Sequence, residues 1–323
     1  MTRKQLLLLG AKLVFSGLLL WLVLTKIDVA GIVSRLRSAN VRWLIPALLA
    51  GPLVTMLSAG RWQILSLGLL CFGEAVRYTW IGLFFGSIVP GVVGGDVAKG
   101  VSLAAKNAGA RDARLPMSIV VDKFVGFWVL LLQFNIVAWL MLHHQPQLLA
   151  GIRGAVKLAS GATVVGLIAA AALCHPRGAT WFNTAAARLP IPALRNFVIR
   201  VLAAFSSYRG EGRRLLQAAL ISFVIHGVNA FCFWLVMHSL AIPASLWFAA
   251  VFYPLLSGLL ALPVSVSGVG VRDVFAAGMF TAFGLNPESG VAFSWLLLGL
   301  SIPNSLIGGI IQLGEIFLRR ATS

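Results

Sequence analysis

Hydrophobic residues fall along this chain in long uninterrupted runs. A helix that crosses a bilayer needs about 20 mainly apolar residues, and six runs meet that length: 6–24, 43–60, 116–142, 155–174, 215–240 and 289–314. The first run is followed by Thr25 and Lys26 and not by a small-residue cleavage site, so we predict a retained helix instead of a cleaved signal. The pattern predicts an all-α polytopic membrane protein.

Two further apolar regions, 75–106 and 246–285, are broken by Pro and Gly. The excess of arginine in 177–214 predicts that this loop is cytoplasmic, whereas 143–150 has no Lys or Arg and is predicted on the other side. If each spanning helix crosses the membrane once, the two loops lie on their predicted sides only when each broken region enters the membrane and leaves on the side from which it entered. Both termini are then cytoplasmic. The basic loop 25–42 disagrees, because the same count places it outside.

The same count predicts an internal repeat within a single transmembrane domain that covers residues 1–323. The first inverted repeat covers 1–142 and the second 155–318, each with three spanning helices and one re-entrant helix pair. Inverted repeats whose broken helices meet near the middle of the membrane are an architecture of transporters. The repeat therefore favours transport as a function.

Composition agrees with a membrane protein. Of 323 residues, 59% are hydrophobic and 11% charged, against about 25% charged in soluble domains; the mean hydropathy is +0.93. The net charge of +17 comes from 26 basic and 9 acidic residues, but the basic residues cluster between the apolar runs, so we expect no nucleic-acid partner. The 3 cysteines and 5 histidines lack metal-ligand spacing, and we expect no metal and no cofactor.

The two broken regions share one pattern, in which Pro ends an apolar run, glycines follow, and an acid and a base open the next helix. The residues are Pro90, Gly91, Gly94, Gly95, Asp96 and Lys99 in the first region, and Pro263, Gly268, Gly270, Arg272 and Asp273 in the second. We predict that Asp96 and Asp273 are N-caps of the second half-helices. Such helix N-termini carry partial positive charge and bind phosphate, and Lys99 and Arg272 would keep the local field positive. The alternative is that each acid–base pair is only a structural cap and salt bridge.

Three more charged residues, Arg61, Asp122 and Lys123, lie in or next to apolar runs. An ionisable side chain at the centre of a bilayer costs about 2.5–3.5 kcal/mol on insertion scales, so these residues predict a polar cavity. We predict that all three bind the substrate there, and that Arg61 and Lys123 bind its phosphate together with Lys99 and Arg272. Arg61 has a second interpretation as an interfacial anchor beside Trp62. Asp122 and Lys123 have one as a pair at a cytoplasmic helix end.

The sequence has no nucleophile elbow, phosphate-binding loop, dinucleotide fingerprint or zinc motif, so we assign no catalytic residue. Without an ATP site, movement of a substrate would be downhill, or driven by an ion gradient or a partner.

The order of these motifs along the chain resembles the lysylphosphatidylglycerol synthase transmembrane family, the flippase half of the bacterial multiple-peptide-resistance factor. The resemblance covers essentially the whole chain, and its residues are Arg61-Trp62, Pro90-Gly91, Gly94-Gly95-Asp96, Lys99, Asp122-Lys123, Gly126, Pro263 and Gly268 to Asp273. Lys99 and Lys123 stand where the family has Arg, and Asp273 where Glu is usual; the two lysines lack the fork with which Arg binds phosphate.

The resemblance implies movement of a lipid between the leaflets of a bacterial cytoplasmic (inner) membrane. The lipid would be an anionic or aminoacylated phospholipid or a polyprenyl-phosphate-linked lipid, and a separate lipid-modifying synthase would be a possible partner. The chain ends just after its last apolar run, without the soluble aminoacyl-transfer domain of the fused enzymes, so we expect it not to be an enzyme. Two alternatives stay open: an intramembrane transferase with Asp96 or Asp122 as general base, and a non-transporting scaffold.

Overall fold

The computed structural model describes most of the chain, namely residues 29–88, 114–144, 153–174, 176–188, 207–261 and 268–321, with separate positions at 17, 18, 25, 95, 96, 99, 100, 190–192, 195, 196, 198, 199, 202 and 205. Within this part the regular structure is helical and no strand is present. The helices are α1 Val29–Arg37, α2 Val41–Leu65, α3 Phe72–Ile88, α4 Arg114–His144, α5 Arg153–Cys174, α6 Pro176–Ala187, α7 Gly212–Ser239, α8 Leu246–Leu260, α9 Val271–Ala282 and α10 Pro287–Ala321.

Among the described residues, four helices are long and apolar enough to cross a membrane, namely α2, α4, α7 and α10. They coincide within a few residues with the predicted runs 43–60, 116–142, 215–240 and 289–314, and α5 coincides with 155–174. The all-α class is therefore confirmed. The first predicted helix, 6–24, lies outside the described residues except for positions 17 and 18.

Large apolar side chains on these helices are exposed. Leu49 on α2 is 63% exposed, Leu158 on α5 77% and Ile310 on α10 70%. A helix that is hydrophobic on all sides is buried in a large core or in lipid. The exposed apolar surface of this chain is therefore the surface that faces acyl chains.

The two broken regions form short helices. At 1.5 Å per residue, α3 with 17 residues, α8 with 15 and α9 with 12 are about 25, 22 and 18 Å long, less than the hydrocarbon core of about 30 Å. Ser245 caps α8, because its side chain accepts a hydrogen bond from the backbone N–H of Phe248 at 3.1 Å. The turn before α9 has positive φ at Gly268 and Gly270, 77° and 79°, a conformation that glycine adopts without steric cost.

The chain divides into two compact units. Unit 1 consists of residues 1–56, 76–106 and 227–323, and unit 2 of residues 57–75 and 107–226. Unit 2 has a core of Leu65, Val121, Tyr208 and Ala218. In the same unit, α4 and α5 are joined by Asn135, which bonds Thr163 at 2.8 Å and Ser160 at 2.5 Å.

Unit 1 has an aromatic core around α8 and α9, in which ring centroids lie 4.7–6.0 Å apart. Its members are Phe233, Phe248, Phe252, Tyr253, Phe275, Phe280, Phe283 and Phe293. The helix α10, which contains Pro303, packs against α9 and α1. The inverted repeat of 1–142 and 155–318 stays a prediction.

Candidate functional site

The first broken region folds back on itself. Gly95 lies against Gly82 and Gly86 of α3, so closely that a Cβ on Gly95 would be 2.3 Å from the carbonyl oxygen of Gly82. The stem of Lys99 lies against Gly82, where a Cβ would be 2.7 Å from its Cε. Gly86 lies against Gly95, whereas Gly82, earlier in α3, lies against Lys99. The described residues among 95–100 therefore run antiparallel to α3. We call α3 with the described residues among 95–100 the first hairpin; Pro90, Gly91 and Gly94 lie outside the described residues.

The second broken region forms an antiparallel pair of α8 and α9, which we call the second hairpin. The ring of Phe252 stacks on Phe275 at 5.9 Å, and Phe248, nearer the start of α8, meets Phe283 just beyond the end of α9 at 4.7 Å. Gly268 packs on Leu260 at the tip, where a Cβ would be 2.5 Å from a methyl carbon of Leu260. The predicted helix break Pro263 lies outside the described residues.

Both hairpins contact α10 within unit 1. Near the start of α10, Ser294 bonds Asp273 of α9. Further along, Asn304 accepts a hydrogen bond from the indole N–H of Trp80 at 3.3 Å, and Glu315 pairs with Arg77 at 3.0 Å. The first hairpin therefore approaches from the carboxyl-terminal end of α10 and the second from its amino-terminal end.

Ser294 connects Arg272 to Asp273 at the tip of the second hairpin. The Nε of Arg272 donates to the Ser294 hydroxyl at 2.8 Å, and that hydroxyl donates to Oδ1 of Asp273. The other carboxylate oxygen, Oδ2, accepts the N–H of Gly270 at 3.0 Å. Arg272 is 7% exposed and Asp273 1%. The predicted acid–base pair is thus present, with a serine between its charges.

The predicted N-cap role of Asp273 is wrong. Gly270 is the N-cap of α9 and Asp273 is its third residue. The reason is that the turn at 268–270 already winds toward the helix, since the N–H of Arg272 bonds the carbonyl of Gly268 at 2.8 Å. Asp273 still lies in the first turn, where a carboxylate stabilises the helix dipole.

Arg272 uses only one of its three nitrogens in the described part of unit 1. Its Nη1 and Nη2 donate no hydrogen bond to any residue that the structure describes. A guanidinium presents five N–H donors in a planar fork that fits phosphate. The terminal nitrogens of Arg272 are therefore a candidate anion site at the tip of the second hairpin.

The structure places Asp96 and Lys99 on the first hairpin. Both side chains are half-buried, and each has an interaction partner. The absence of a side chain on Gly82 makes room for the aliphatic stem of Lys99. The ammonium of Lys99 therefore lies beside α3, the helix by which the first hairpin contacts α10.

In unit 2, Arg61 is buried and fully hydrogen-bonded. Its Nε and Nη2 donate to the two oxygens of Asp122 at 2.7 and 3.0 Å, and its Nη1 donates to Ser222 at 3.0 Å. Arg61 is 7% exposed, and Trp62 beside it is 1% exposed and donates to Ser118 at 3.0 Å. The alternative of an interfacial anchor is therefore wrong. The geometry supports a structural role for Arg61 in holding three helices of unit 2 together.

Asp122 pairs with Arg61, and its neighbour Lys123 is exposed. Gly126 makes this possible, because a Cβ at that position would be 2.8 Å from Nη1 of Arg61. The carbonyl of Gly126 also lies 2.9 Å from Nε2 of His226. The interpretation of Asp122 and Lys123 as a pair at a cytoplasmic helix end stays a prediction.

Sequence reasoning missed the hydroxyl and amide residues that complete these networks. Ser222 and Ser294 lie inside apolar runs, where serine is common at helix interfaces and gives no signal. Asn304 is the exception, since an amide in the middle of a spanning run is costly unless it is hydrogen-bonded. It donates to Thr55 of α2 at 3.1 Å as well as accepting from Trp80.

In the part of the chain that the structure describes, no group of three or more His, Cys, Asp or Glu side chains is arranged to hold a metal ion.

Comparison with known proteins gives one match. The sequence model of the family described as "Lysylphosphatidylglycerol synthase TM region" matches residues 9–308. No curated protein and no solved structure matches the chain.

Proposed function

Because the chain belongs to the lysylphosphatidylglycerol synthase transmembrane family, we propose that it moves a phosphate-bearing lipid between the two leaflets of a membrane. Arg272 at the tip of the second hairpin would bind the phosphate, and Lys99 on the first hairpin would add positive charge. The candidate lipids are an anionic or aminoacylated phospholipid and a polyprenyl-phosphate-linked lipid. The membrane would be a bacterial cytoplasmic membrane, with both termini in the cytoplasm and a separate lipid-modifying synthase as a possible partner.

One observation carries this proposal: Arg272 is buried in unit 1, yet its two terminal nitrogens bond no described residue. A buried cation is costly unless it is paired. Asp273 is close, but both of its oxygens are occupied by Ser294 and Gly270. A phosphate would accept two parallel charge-assisted hydrogen bonds from these nitrogens, which have no partner among the described residues.

The arrangement of the hairpins supports transport. The helix α3 of the first hairpin and both helices of the second hairpin are shorter than the hydrocarbon core. The first hairpin bonds α10 at Asn304 and the second bonds it at Ser294. Half-helix ends near mid-membrane are where transporters bind polar groups. A headgroup would pass between leaflets by way of the tips, while the acyl chains remain in the surrounding lipid.

A leaflet-exchange assay tests this function. The purified full chain is reconstituted into liposomes that contain fluorescent phosphatidylglycerol, and exchange is followed by quenching of the outer leaflet. We expect exchange with the wild type and a loss of roughly tenfold or more with Arg272→Gln, because the phosphate loses a charged bidentate partner. Lys99→Gln should cause a smaller loss, since a lysine contributes as a point charge.

Arg213→Gln is the matched control, since it removes the same charge from an exposed position at the start of α7. It should exchange lipid as the wild type does. Absence of exchange for phosphatidylglycerol and for a polyprenyl phosphate, or full exchange with Arg272→Gln, would overturn the proposal. Mass spectrometry of the same liposomes covers the transferase alternative, because a newly formed lipid species would show turnover instead of movement.

A further inference from the structure

The chain between α5 and the turn at Tyr208 carries a surface that the proposed lipid exchange does not use. We propose that residues 176–205, which we call the basic segment, bind the anionic phospholipid headgroups of the membrane surface on which they lie. The basic segment belongs to unit 2. The proposal does not require that the chain moves lipid.

The basic segment joins unit 2 at an end where spanning helices begin and end. Tyr208, just after the segment, donates a hydrogen bond to the carbonyl of Leu65, the last residue of α2. The helix α7 begins at Gly212, and the ring of Phe205 in the segment meets Phe124 of α4 at 5.6 Å. The ends of helices that cross a bilayer lie at its surface. The basic segment therefore lies at the level of the headgroups.

One face of α6 and the residue after it combines an aromatic ring with a cation. Trp181, Thr184, Ala185 and Arg188 are exposed and share this face, and Trp181 is 66% exposed. Ala186, on the opposite face, is 3% exposed. The 12 residues of α6 are about 18 Å long, too short to span the hydrocarbon core. Such a helix lies in the membrane interface, with its tryptophan at the acyl boundary and its arginine reaching the phosphates.

The charge of the basic segment fits an anionic partner. The segment has no acidic residue and four arginines, namely Arg177, Arg188, Arg195 and Arg200. Glu211, in the turn that follows, pairs with Arg214 at 3.2 Å. Clustered arginines next to a membrane attract anionic headgroups, and a guanidinium donates to a phosphate through its planar fork.

Large apolar side chains continue this surface beyond α6. Ile191 is 57% exposed and Ile199 is 39% exposed. Contact with water is unfavourable for such side chains, whereas the upper part of the acyl chains accommodates them. An acidic protein would pair with the arginines alone. A lipid surface takes the arginines and the apolar side chains together, and it surrounds the spanning helices in any case.

Lipid binding to the full chain tests the proposal. Binding of phosphatidylglycerol in detergent is measured by native mass spectrometry, with phosphatidylcholine as the neutral probe. We expect Arg188→Gln with Arg195→Gln to weaken binding of phosphatidylglycerol about tenfold and to leave binding of phosphatidylcholine unchanged. High salt should reduce this difference, because it screens exposed charges.

Arg153→Gln with Lys157→Gln is the matched control. It removes two exposed basic side chains from the same unit, at the opposite end of α5, and should bind phosphatidylglycerol as the wild type does. Any lipid held at the hairpins is common to all three proteins. Because Arg195 is half-buried, Arg188→Gln alone is the second variant if the double variant does not fold, and it should cause a smaller loss.

A photo-crosslinking amino acid at position 181 of the full chain locates the contact. In liposomes of phosphatidylcholine and phosphatidylglycerol, we expect lipid adducts in which phosphatidylglycerol exceeds its share of the bilayer. Wild-type binding of phosphatidylglycerol by the Arg188 and Arg195 variants would overturn the proposal. Absence of lipid adducts from position 181 would overturn it too, and would leave the surface to water or to an acidic protein.

Discussion

Arg61 and Asp122 form a two-point ion pair within unit 2, with Nε–Oδ1 and Nη2–Oδ2 distances of 2.7 and 3.0 Å. The pair joins α2 to α4, and the remaining nitrogen of Arg61 joins both to Ser222 of α7. Three helices of the unit are thus linked through one guanidinium.

Removing one member of this pair should destabilise the protein strongly. With Asp122→Ala we expect the free energy of unfolding to fall by about 3–5 kcal/mol, because a buried arginine is left without its counter-charge. Equilibrium unfolding in mixed detergent micelles measures this change. The double variant Arg61→Leu with Asp122→Leu should recover most of the loss, since it leaves no unpaired charge. A double variant less stable than Asp122→Ala would contradict this account.

The close approach of the first hairpin gives a second prediction. Gly95→Ala should disrupt the hairpin, because the new Cβ would be 2.3 Å from a backbone oxygen of Gly82, which cannot move aside as a side chain can. We expect a lower unfolding temperature and a loss of lipid exchange. Gly100→Ala is the matched control in the same segment, since no atom of the described residues lies within 4 Å of its Cβ position. Equal behaviour of the two variants would show that the hairpin is not closely packed.

Ser294→Ala tests the link between Arg272 and Asp273. The change removes the hydroxyl that accepts from one residue and donates to the other, so two buried charged groups each lose a partner. We expect a destabilisation of about 1–3 kcal/mol and slower exchange of phosphatidylglycerol. Ser301→Ala, at an exposed position of the same helix, should leave both measurements unchanged. Exchange of phosphatidylglycerol at the wild-type rate with Ser294→Ala would show that Ser294 is not part of the lipid-binding site.

Tyr208, in the turn before α7, predicts a dependence on alkaline pH. Its hydroxyl donates to the carbonyl of Leu65, the last residue of α2. Burial raises the pKa of Tyr208 above its usual value, and the negative charge of Asp122 raises this pKa further. Because the folded pKa lies above the unfolded one, the contribution to stability is full below about pH 10 and is lost as the pH rises toward the folded pKa.

Tyr208→Phe is the variant that separates this contribution. At pH 8 it should be about 1 kcal/mol less stable than the wild type, which is the usual value of one hydrogen bond. At pH 11 the difference should shrink, because only the wild type loses stability by titration of this phenol. Unfolding in mixed micelles at the two pH values is the measurement. If the stability difference between the wild type and Tyr208→Phe were the same at both pH values, ionisation of the Tyr208 hydroxyl would not contribute to the loss of stability.

Apolar runs were sufficient to predict the four described helices that are long and apolar enough to cross a membrane, since length and hydropathy identify such helices. The runs 43–60 and 289–314 correspond to α2 and α10. The site was predictable as a set of residue types but not as a set of partners. Nothing local indicates that Arg61 bonds a carboxylate 61 positions away, since such pairing depends on how helices pack.

The start of α9 shows why the N-cap was assigned wrongly. Asp273 has the residue type of a cap, and the Gly residues before it suggest a free turn. The turn at 268–270 instead begins the winding, and the carboxylate bonds back to Gly270 from the third helical position. Residue type alone could not distinguish these two arrangements. In both of them the carboxylate of Asp273 accepts a hydrogen bond from a backbone N–H at the start of the helix.

Pro303 interrupts the backbone hydrogen bonding of α10 between the two positions at which the hairpins bond this helix. A proline inside a helix removes one backbone hydrogen bond and permits a bend, and this one lies after Ser294, where the second hairpin is attached, and just before Asn304, where the first is attached. Flexing of α10 at Pro303 would change the separation of the two attachments while each hairpin kept its own bonds. The same helix would then hold both hairpins and set the distance between them.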